Sequence, residues 1–313
     1  MSWILITLLV VVVAFVLVSP LESLRWWSSR GEEEVRSSFE ILPDDEVSER
    51  PAGQEEPRRF AVYLSGIGVI AGDELADRER ALLQGIQEDV PGLVMVDDVF
   101  PYSVDNRGLT QRATMWLWKR LDKIRRRRSI NPLPALIQLR NVSHVLVSAD
   151  PRYGPTHSIG LAQEIWRSLQ RHGYRPGSGV PVTIIGYSGG GQMGLGAGWF
   201  LAGLGIPVSL ISIGGVFGDD PGLDRMEHVF DLYGTKDAIR WLGPLSFPGR
   251  WPTAPLSRWG RAKREHRVTT TVIGTMAHDG AHGYFGRRKK GADGRAHSEV
   301  TRQAVAEILN ASP

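Results

Sequence analysis

The stretch Pro181-Val-Thr-Ile-Ile-Gly186-Tyr187-Ser188-Gly189-Gly190-Gly191 sets the fold class of this chain. Four β-branched residues, Val182 to Ile185, run into Gly-x-Ser-x-Gly, and a Gly-rich stretch follows up to Leu204. A strand entering a helix through such a turn forces the serine into a strained backbone conformation with its hydroxyl projecting from the strand end. Glycines are needed on both sides, because a Cβ there would strike the neighbouring strand or helix. The N–H of Gly189 then stands at the positive end of the helix, where an oxyanion would form. Gly189-x-Gly191-x-x-Gly194 also satisfies a dinucleotide fingerprint. That motif wants an acidic residue at the end of the next strand, about twenty residues on, and Val208–Gly215 offers none before Asp219. The nucleophile turn is the stronger reading.

Outward from this turn, short apolar runs alternate with amphipathic ones. Upstream, strands are predicted at Phe60–Ser65 and Leu93–Phe100, with helices around Glu74–Glu88 and Leu109–Arg127. Val142–Ser148 suits a strand or a buried helix equally, and a helix over Gly160–His172 precedes the strand Val180–Gly186. Downstream, Val208–Ile213, His228–Tyr233 and Val268–Gly274 read as strands and Ser298–Leu309 as a closing helix. Strands separated by helical segments predict an α/β fold: a mostly parallel sheet between two helical layers, α/β/α. Between Trp241 and Trp259, four prolines and three tryptophans predict an irregular excursion.

A serine hydroxyl is a poor nucleophile without a base and an orienting acid. Asp237 follows the strand His228–Tyr233 on the turn Gly234-Thr-Lys-Asp237, and His278 follows Val268–Gly274. The order Ser188, Asp237, His278, with gaps of 49 and 41 residues, spaces the groups by roughly one crossover each. Here residues 60–313 resemble the α/β-hydrolase superfamily; Ser148-Ala-Asp-Pro-Arg-Tyr-Gly-Pro155 and Phe247-Pro-Gly-Arg-Trp251 are similar to an uncharacterised bacterial branch of it. The resemblance implies a hydrolase fold and a Ser188–His278–Asp237 triad acting on acyl esters or thioesters, with no cofactor. It also implies an oxyanion hole shared by Gly189 and the loop after Phe60–Ser65, where the Ile67 N–H is the candidate donor. Ser65-Gly66 stands where the family often has His-Gly. An acyltransferase using the same triad, or a non-catalytic hydrolase-fold binding protein at a membrane, are the alternative functions.

Rival residues exist at each position. His282 is the alternative base, placed deeper in the loop ahead of Tyr284-Phe285. His278 and His282 are four apart, as in a helical metal pair, but Gly280 and Gly283 argue against a helix, and no metal site is predicted. Asp231 lies inside a strand, while Asp219 and Asp220 follow the preceding one.

At 42% apolar and 23% charged, the composition is that of a globular protein rather than a disordered or fibrous one. The absence of cysteine removes disulfides, thiolate metal sites and cysteine nucleophiles. Met1–Val18 carries no charge, and extended through Leu21 it is about long enough to span a bilayer. A cleaved signal peptide would want a basic start and a small-residue cleavage site, neither of which is present. Residues 1–21 are therefore expected to be a transmembrane anchor. Arg25, Arg30 and Arg36 follow it, which predicts a cytoplasmic body.

The charge is unevenly divided. Residues 1–30 carry +1 and residues 31–58 carry −7, so the chain total of +3 leaves +9 on residues 59–313. The expected organisation is an anchor at 1–21, an acidic extended linker at 22–58 and a basic domain at 59–313. Lys119–Arg128 holds seven basic residues in ten, after Trp116-Leu117-Trp118. It reads as a solvated helix face or a contact for anionic headgroups, with Arg287–Lys290 as a possible extension of the patch. Without interleaved aromatic stacking positions, nucleic acid is not an expected partner. A small acyl or lipid-like molecule is the expected substrate.

Overall fold

In the computed structural model, β1 (Arg59–Leu64) and α1 (Asp77–Asp89) lead to β2 (Leu93–Val96). Then come α2 (Gly154–Arg171), β3 (Val182–Tyr187), α3 (Gly190–Gly203) and β4 (Val208–Ile213). The chain continues through β5 (Val229–Gly234), α4 (Leu242–Ser246), α5 (Arg258–Arg264), β6 (Val268–Gly274) and α6 (His297–Ala311). The structure describes residues 39–43, 47, 57–67, 77–101, 142, 145, 148–149, 154–291 and 293–311. The expected anchor at 1–21, the helix near Leu109–Arg127 and the basic run Lys119–Arg128 lie outside the described residues.

All six strands are parallel, in the order β2-β1-β3-β4-β5-β6. Both faces of such a sheet are buried, so its strands are continuous apolar runs whose alternate residues enter two different cores. In β1, Phe60, Val62 and Leu64 join a cluster with Leu161, Ile165 and Leu169 of α2 and Met193 and Leu201 of α3. Ala61 and Tyr63 join a second cluster with Leu82, Leu83 and Ile86 of α1 and Val305 and Leu309 of α6. The sheet thus lies between two helical layers. Ile184, at the centre of β3, is fully buried, and truncating it to Ala would cost about 2–5 kcal/mol. At the β6 edge of the six described strands, Thr269 to Val272 are exposed.

Helix α1 explains its own position. Its buried residues Leu82, Leu83 and Ile86 lie on one stripe, and Asp77 and Glu79 sit in its first turn, where the helix dipole favours negative charge. In contrast, α3 is apolar nearly all round and buried from Gly190 to Gly198. Its small residues let it lie close against the sheet beneath α2.

Several boundaries differ from the sequence expectation. Strand β2 stops at Val96 rather than Phe100, because Asp98 turns aside to Ser168 and, at 3.3 Å, to Arg171 of α2. For Val142–Ser148, where the sequence leaves strand and helix both open, the described residues Val142, Val145 and Ser148 are helical, and Ala149 N–H donates to Val145 O at 3.0 Å. Phe39–Leu42, expected within the extended linker, instead lies on α2. Phe39 packs on the first core, Leu42 N–H donates to Gln170 Oε1 at 2.8 Å, and Trp166 Nε1–H donates to Glu40 O at 3.0 Å. The surrounding acidic residues conceal this apolar foothold when charge alone is read.

The chain order reverses between β1 and β3. One connection leaves β1 for the β2 edge and the next returns to β3 and continues the other way. At such a switch point the loops beyond the strand ends diverge and leave a crevice. Ser188 directly follows β3, and Ser65–Ile67 directly follow β1.

Candidate active site

Ser188 sits at φ +54°, in the left-handed region, immediately after β3. A non-glycine residue there carries about 1–3 kcal/mol of strain that its surroundings must hold. Ser188 N–H donates to Ile213 O, and Ser188 O accepts from Gly191 N–H and Val216 N–H, each at 3.1 Å. The two motif glycines are required by close approach. A Cβ on Gly186 would lie 2.7 Å from the Gly190 carbonyl, and one on Gly190 would lie 2.4 Å from Leu64 O.

Three side chains from three strand ends then meet in line. Ser188 Oγ lies 2.8 Å from His278 Nε2, and His278 Nδ1 lies 3.0 and 2.9 Å from the two Asp237 oxygens. A carboxylate only accepts, so Nδ1 carries the proton and Nε2 is left to accept from the serine hydroxyl. Asp237 is 2% exposed, yet its charge is well satisfied. Oδ1 accepts from Ile239 N–H at 2.9 Å and Arg240 N–H at 3.3 Å, and Oδ2 accepts from the Tyr284 hydroxyl at 2.6 Å. Burial by itself would raise this carboxyl; the hydrogen bonds from His278 and Tyr284, the His278 charge and the Arg240 amide outweigh it and hold the group below its ordinary value.

Chemically, this arrangement can remove the serine proton, keep the imidazole in the needed tautomer and stabilise an imidazolium. The N-terminus of α3, beginning beside Gly189, lies next to the serine; of its first amides, Gly191 N–H is bonded to Ser188 O. The opposing loop touches Ser188 through Gly66, where a Cβ would be 3.2 Å from Ser188 Cβ. Ile67 is half-buried with its side chain against the first core, and residues 68–76 after it lie outside the described residues.

No protein-family model and no curated protein matches this chain.

The rival residues are engaged elsewhere. The His282 side chain is exposed; its carbonyl accepts from Ala277 N–H and His297 Nδ1–H at 2.9 and 3.0 Å, which closes the loop around His278. Asp231 faces Arg250 at 3.7 Å, Asp219 accepts from Trp259 N–H, and Asp220 accepts from Gln192 and Gly222 N–H. Among the described residues no group of three or more His, Asp or Glu converges as metal ligands would. A groove of about 860 Å³ opens at the other end of the strands, beside Pro181, Pro207 and Glu307, and contains none of the three aligned residues.

Two tyrosines escaped the sequence reading. Tyr187, the x of Gly-x-Ser, donates to His278 O at 2.7 Å, and its ring stacks on the imidazole with centroids 5.3 Å apart. Tyr284 bridges Asp237 and the chain before it, accepting from Gly234 N–H at 3.0 Å. Burial, followed by nearby carboxylates, pushes both phenols well above their ordinary values, so they remain donors at any working pH. An ion pair from Arg78 of α1 to Asp279, at 2.8 Å, ties the histidine loop to the helical layer. Only the position of Tyr187 inside the motif was a signal visible in the chain.

Proposed function

We propose that this protein is a serine hydrolase of acyl esters or thioesters, with Ser188 as nucleophile, His278 as base and Asp237 as orienting acid. The observation that carries the reading is the 2.8 Å contact between Ser188 Oγ and His278 Nε2 at a serine held at φ +54°. Structural serines have no need of that strain.

In the reaction, Ser188 Oγ attacks the acyl carbonyl while its proton passes to His278 Nε2. The carbonyl oxygen becomes an oxyanion that accepts from the N–H groups of Gly189 and Ile67, each such donor being worth about 3–4 kcal/mol in the transition state. Collapse breaks the bond to the leaving alkoxide or thiolate, which takes the proton from His278 and leaves an acyl-serine. Water then enters, gives a proton to His278 and attacks the acyl carbon; collapse returns the proton to Ser188 and releases the acid.

Residues 1–21 tether the domain to a membrane, and the arginines that follow them favour a cytoplasmic body. The full chain should stay with membranes through carbonate extraction, and protease should reach the domain only in inverted vesicles.

The test of the chemistry is covalent labelling by a fluorophosphonate. The protein should label once, at Ser188, and Ser188→Ala should lose both labelling and ester turnover while melting close to wild type. Labelling that persists in this variant would place the nucleophile elsewhere, and an unlabelled wild type would end the hydrolase reading.

A further inference from the structure

Ten large apolar side chains stand exposed among the described residues. Six of them, Ile239, Trp241, Leu242, Leu245, Trp251 and Leu256, fall in a single stretch beginning two residues after Asp237. Leu245 is 70% exposed and Leu256 85%. Isolated exposed apolar residues need no explanation, but a concentration of this kind marks an interaction surface.

The exposure is not a product of loose structure. Trp251 Nε1–H donates to Pro244 O at 2.6 Å, and the Arg250 guanidinium is held between the rings of Phe217 and Trp259 at 4.3 and 3.9 Å while donating to Phe217 O. Gly243 packs against the Phe217 backbone closely enough that a Cβ would come within 3.1 Å of it. The segment is thus pinned from beneath with its apolar side chains outward.

Charge identifies the occupant. Residues 238–264 contain six basic residues, three tryptophans and no acidic residue at all. Arg250 is buried against Asp231, and Arg258 and Arg261 share Asp224, so Arg240, Lys263 and Arg264 are the segment's cations without a salt-bridge partner among the described residues; Trp259 is buried, and Trp241 and Trp251 are the tryptophans that project. Tryptophan and leucine projecting from an acid-free basic segment suit the headgroup region of an anionic bilayer, where the rings sit at the interface and the cations meet phosphate. The only regular helix within the apolar stretch, α4, has five residues, too few to offer a protein partner a helical face. The chain's first 21 residues are long enough to span, and residues 22–38 that join them to the seated Phe39 can extend at most about 60 Å. Contact with the bilayer is then intramolecular, so a weak surface interaction suffices.

This surface borders the reacting groups. Ile239 and Arg240 begin it and donate their N–H groups to Asp237. Phe247 lies against Gly218, and Val216 N–H donates to Ser188 O at 3.1 Å. We propose that the Ile239–Leu256 surface docks on an anionic bilayer and that the site draws its acyl ester from lipids there. The docking rests on this surface and on the anchor reading of residues 1–21; the ester supply rests on the hydrolase reading above.

The chain has no cysteine, so a nitroxide placed on Leu245→Cys or Leu256→Cys reports one site only. In the full-length protein in phosphatidylethanolamine–phosphatidylglycerol vesicles, both labels should collide more with oxygen than with a water-soluble nickel chelate. A label on Glu307→Cys, at the opposite end of the strands, should read as aqueous. Aqueous readings at both 245 and 256 would overturn the docking. So would labels immobilised without the lipid oxygen signature, which would mean a second copy or a protein partner. For the supply step, Leu245→Glu combined with Leu256→Glu should lower the ratio of vesicle-borne to soluble ester turnover by about tenfold or more. An unchanged ratio would overturn the supply. A wild type that turns over neither ester and takes no fluorophosphonate would end the hydrolase reading, and the label depths would still decide the docking.

Discussion

Tyr284 donates its hydroxyl to Asp237 Oδ2 at 2.6 Å, on an oxygen that also faces His278 Nδ1 at 2.9 Å. One carboxylate oxygen is therefore held both by the imidazole and by a residue six positions beyond His278. Because Tyr284 also accepts from Gly234 N–H, one phenol fixes both the carboxylate and the strand end that carries it.

Tyr284→Phe should lower kcat about tenfold with little change in KM, since it loosens the acid without touching substrate. It leaves Gly234 N–H and one carboxylate lone pair buried without a partner, which should cost about 1–3 kcal/mol of stability. The pH dependence has a definite sign. The folded Asp237 carboxyl lies below its ordinary value of 3.8, so its stabilisation is complete above the unfolded value and is lost as acid titrates the folded state. Removing the phenol raises the folded value, so the acid limb should move to higher pH. Urea unfolding from pH 5 down to about pH 2 tests this, and coincident acid limbs in the two proteins would refute it.

His278→Ala should reduce ester turnover by about a thousandfold or more, and His282→Ala by less than about twofold. The His282 contribution to the loop is its carbonyl, which alanine keeps. The opposite ranking would move the base to His282.

Asp220 predicts a pH effect of the other sign. Burial pushes its carboxyl up to about 6, against hydrogen bonds from Gly222 and Gln192 that lower it. The folded state holds the proton where the unfolded state has lost it, so this group's stabilisation is complete below pH 3.8 and falls as pH rises to about 6. Relative to Asp220→Asn, the wild type should lose about 3 kcal/mol over that window. Parallel stability–pH curves would show that Asp220 titrates normally.

Gly190→Ala should destabilise the full chain by at least about 2 kcal/mol, because the new Cβ would meet the backbone at Leu64 O. Thermal melting measures it. A melt like that of wild type would mean that β1 and α3 can part without cost.

The sequence carried most of the fold. Strand β4 begins and ends where its largely apolar run does, because a parallel strand covered on both faces is mostly apolar, whereas the outermost strand β6 was legible as a β-branched run although Thr269 to Val272 are exposed. The Ser188 turn was equally legible, since its strain and its two close approaches depend on residues adjacent in the chain. The order Ser188, Asp237, His278 along the chain identified the three side chains that meet, each lying just past a strand end. Local pattern reports whether a residue is buried or turned, and that information is what a sequence holds.

Who faces whom was decided only by tertiary packing. His278 and His282 sit in one loop and differ little as sequence. The Tyr187 ring and hydroxyl, arriving from β3, and the Asp237 carboxylate, arriving from β5, select His278. Tyr284 acquires its role because α6 and the end of β5 enclose it, and Phe39–Leu42 escapes an acidic linker because α2 offers Trp166 and Gln170. Equally, the bonds to Phe217 and Pro244 turn the side chains of the Ile239–Leu256 stretch outward, although its apolar content alone would suggest a core. These are contacts between segments tens of residues apart, and their free energy exists only once the sheet has brought the segments together.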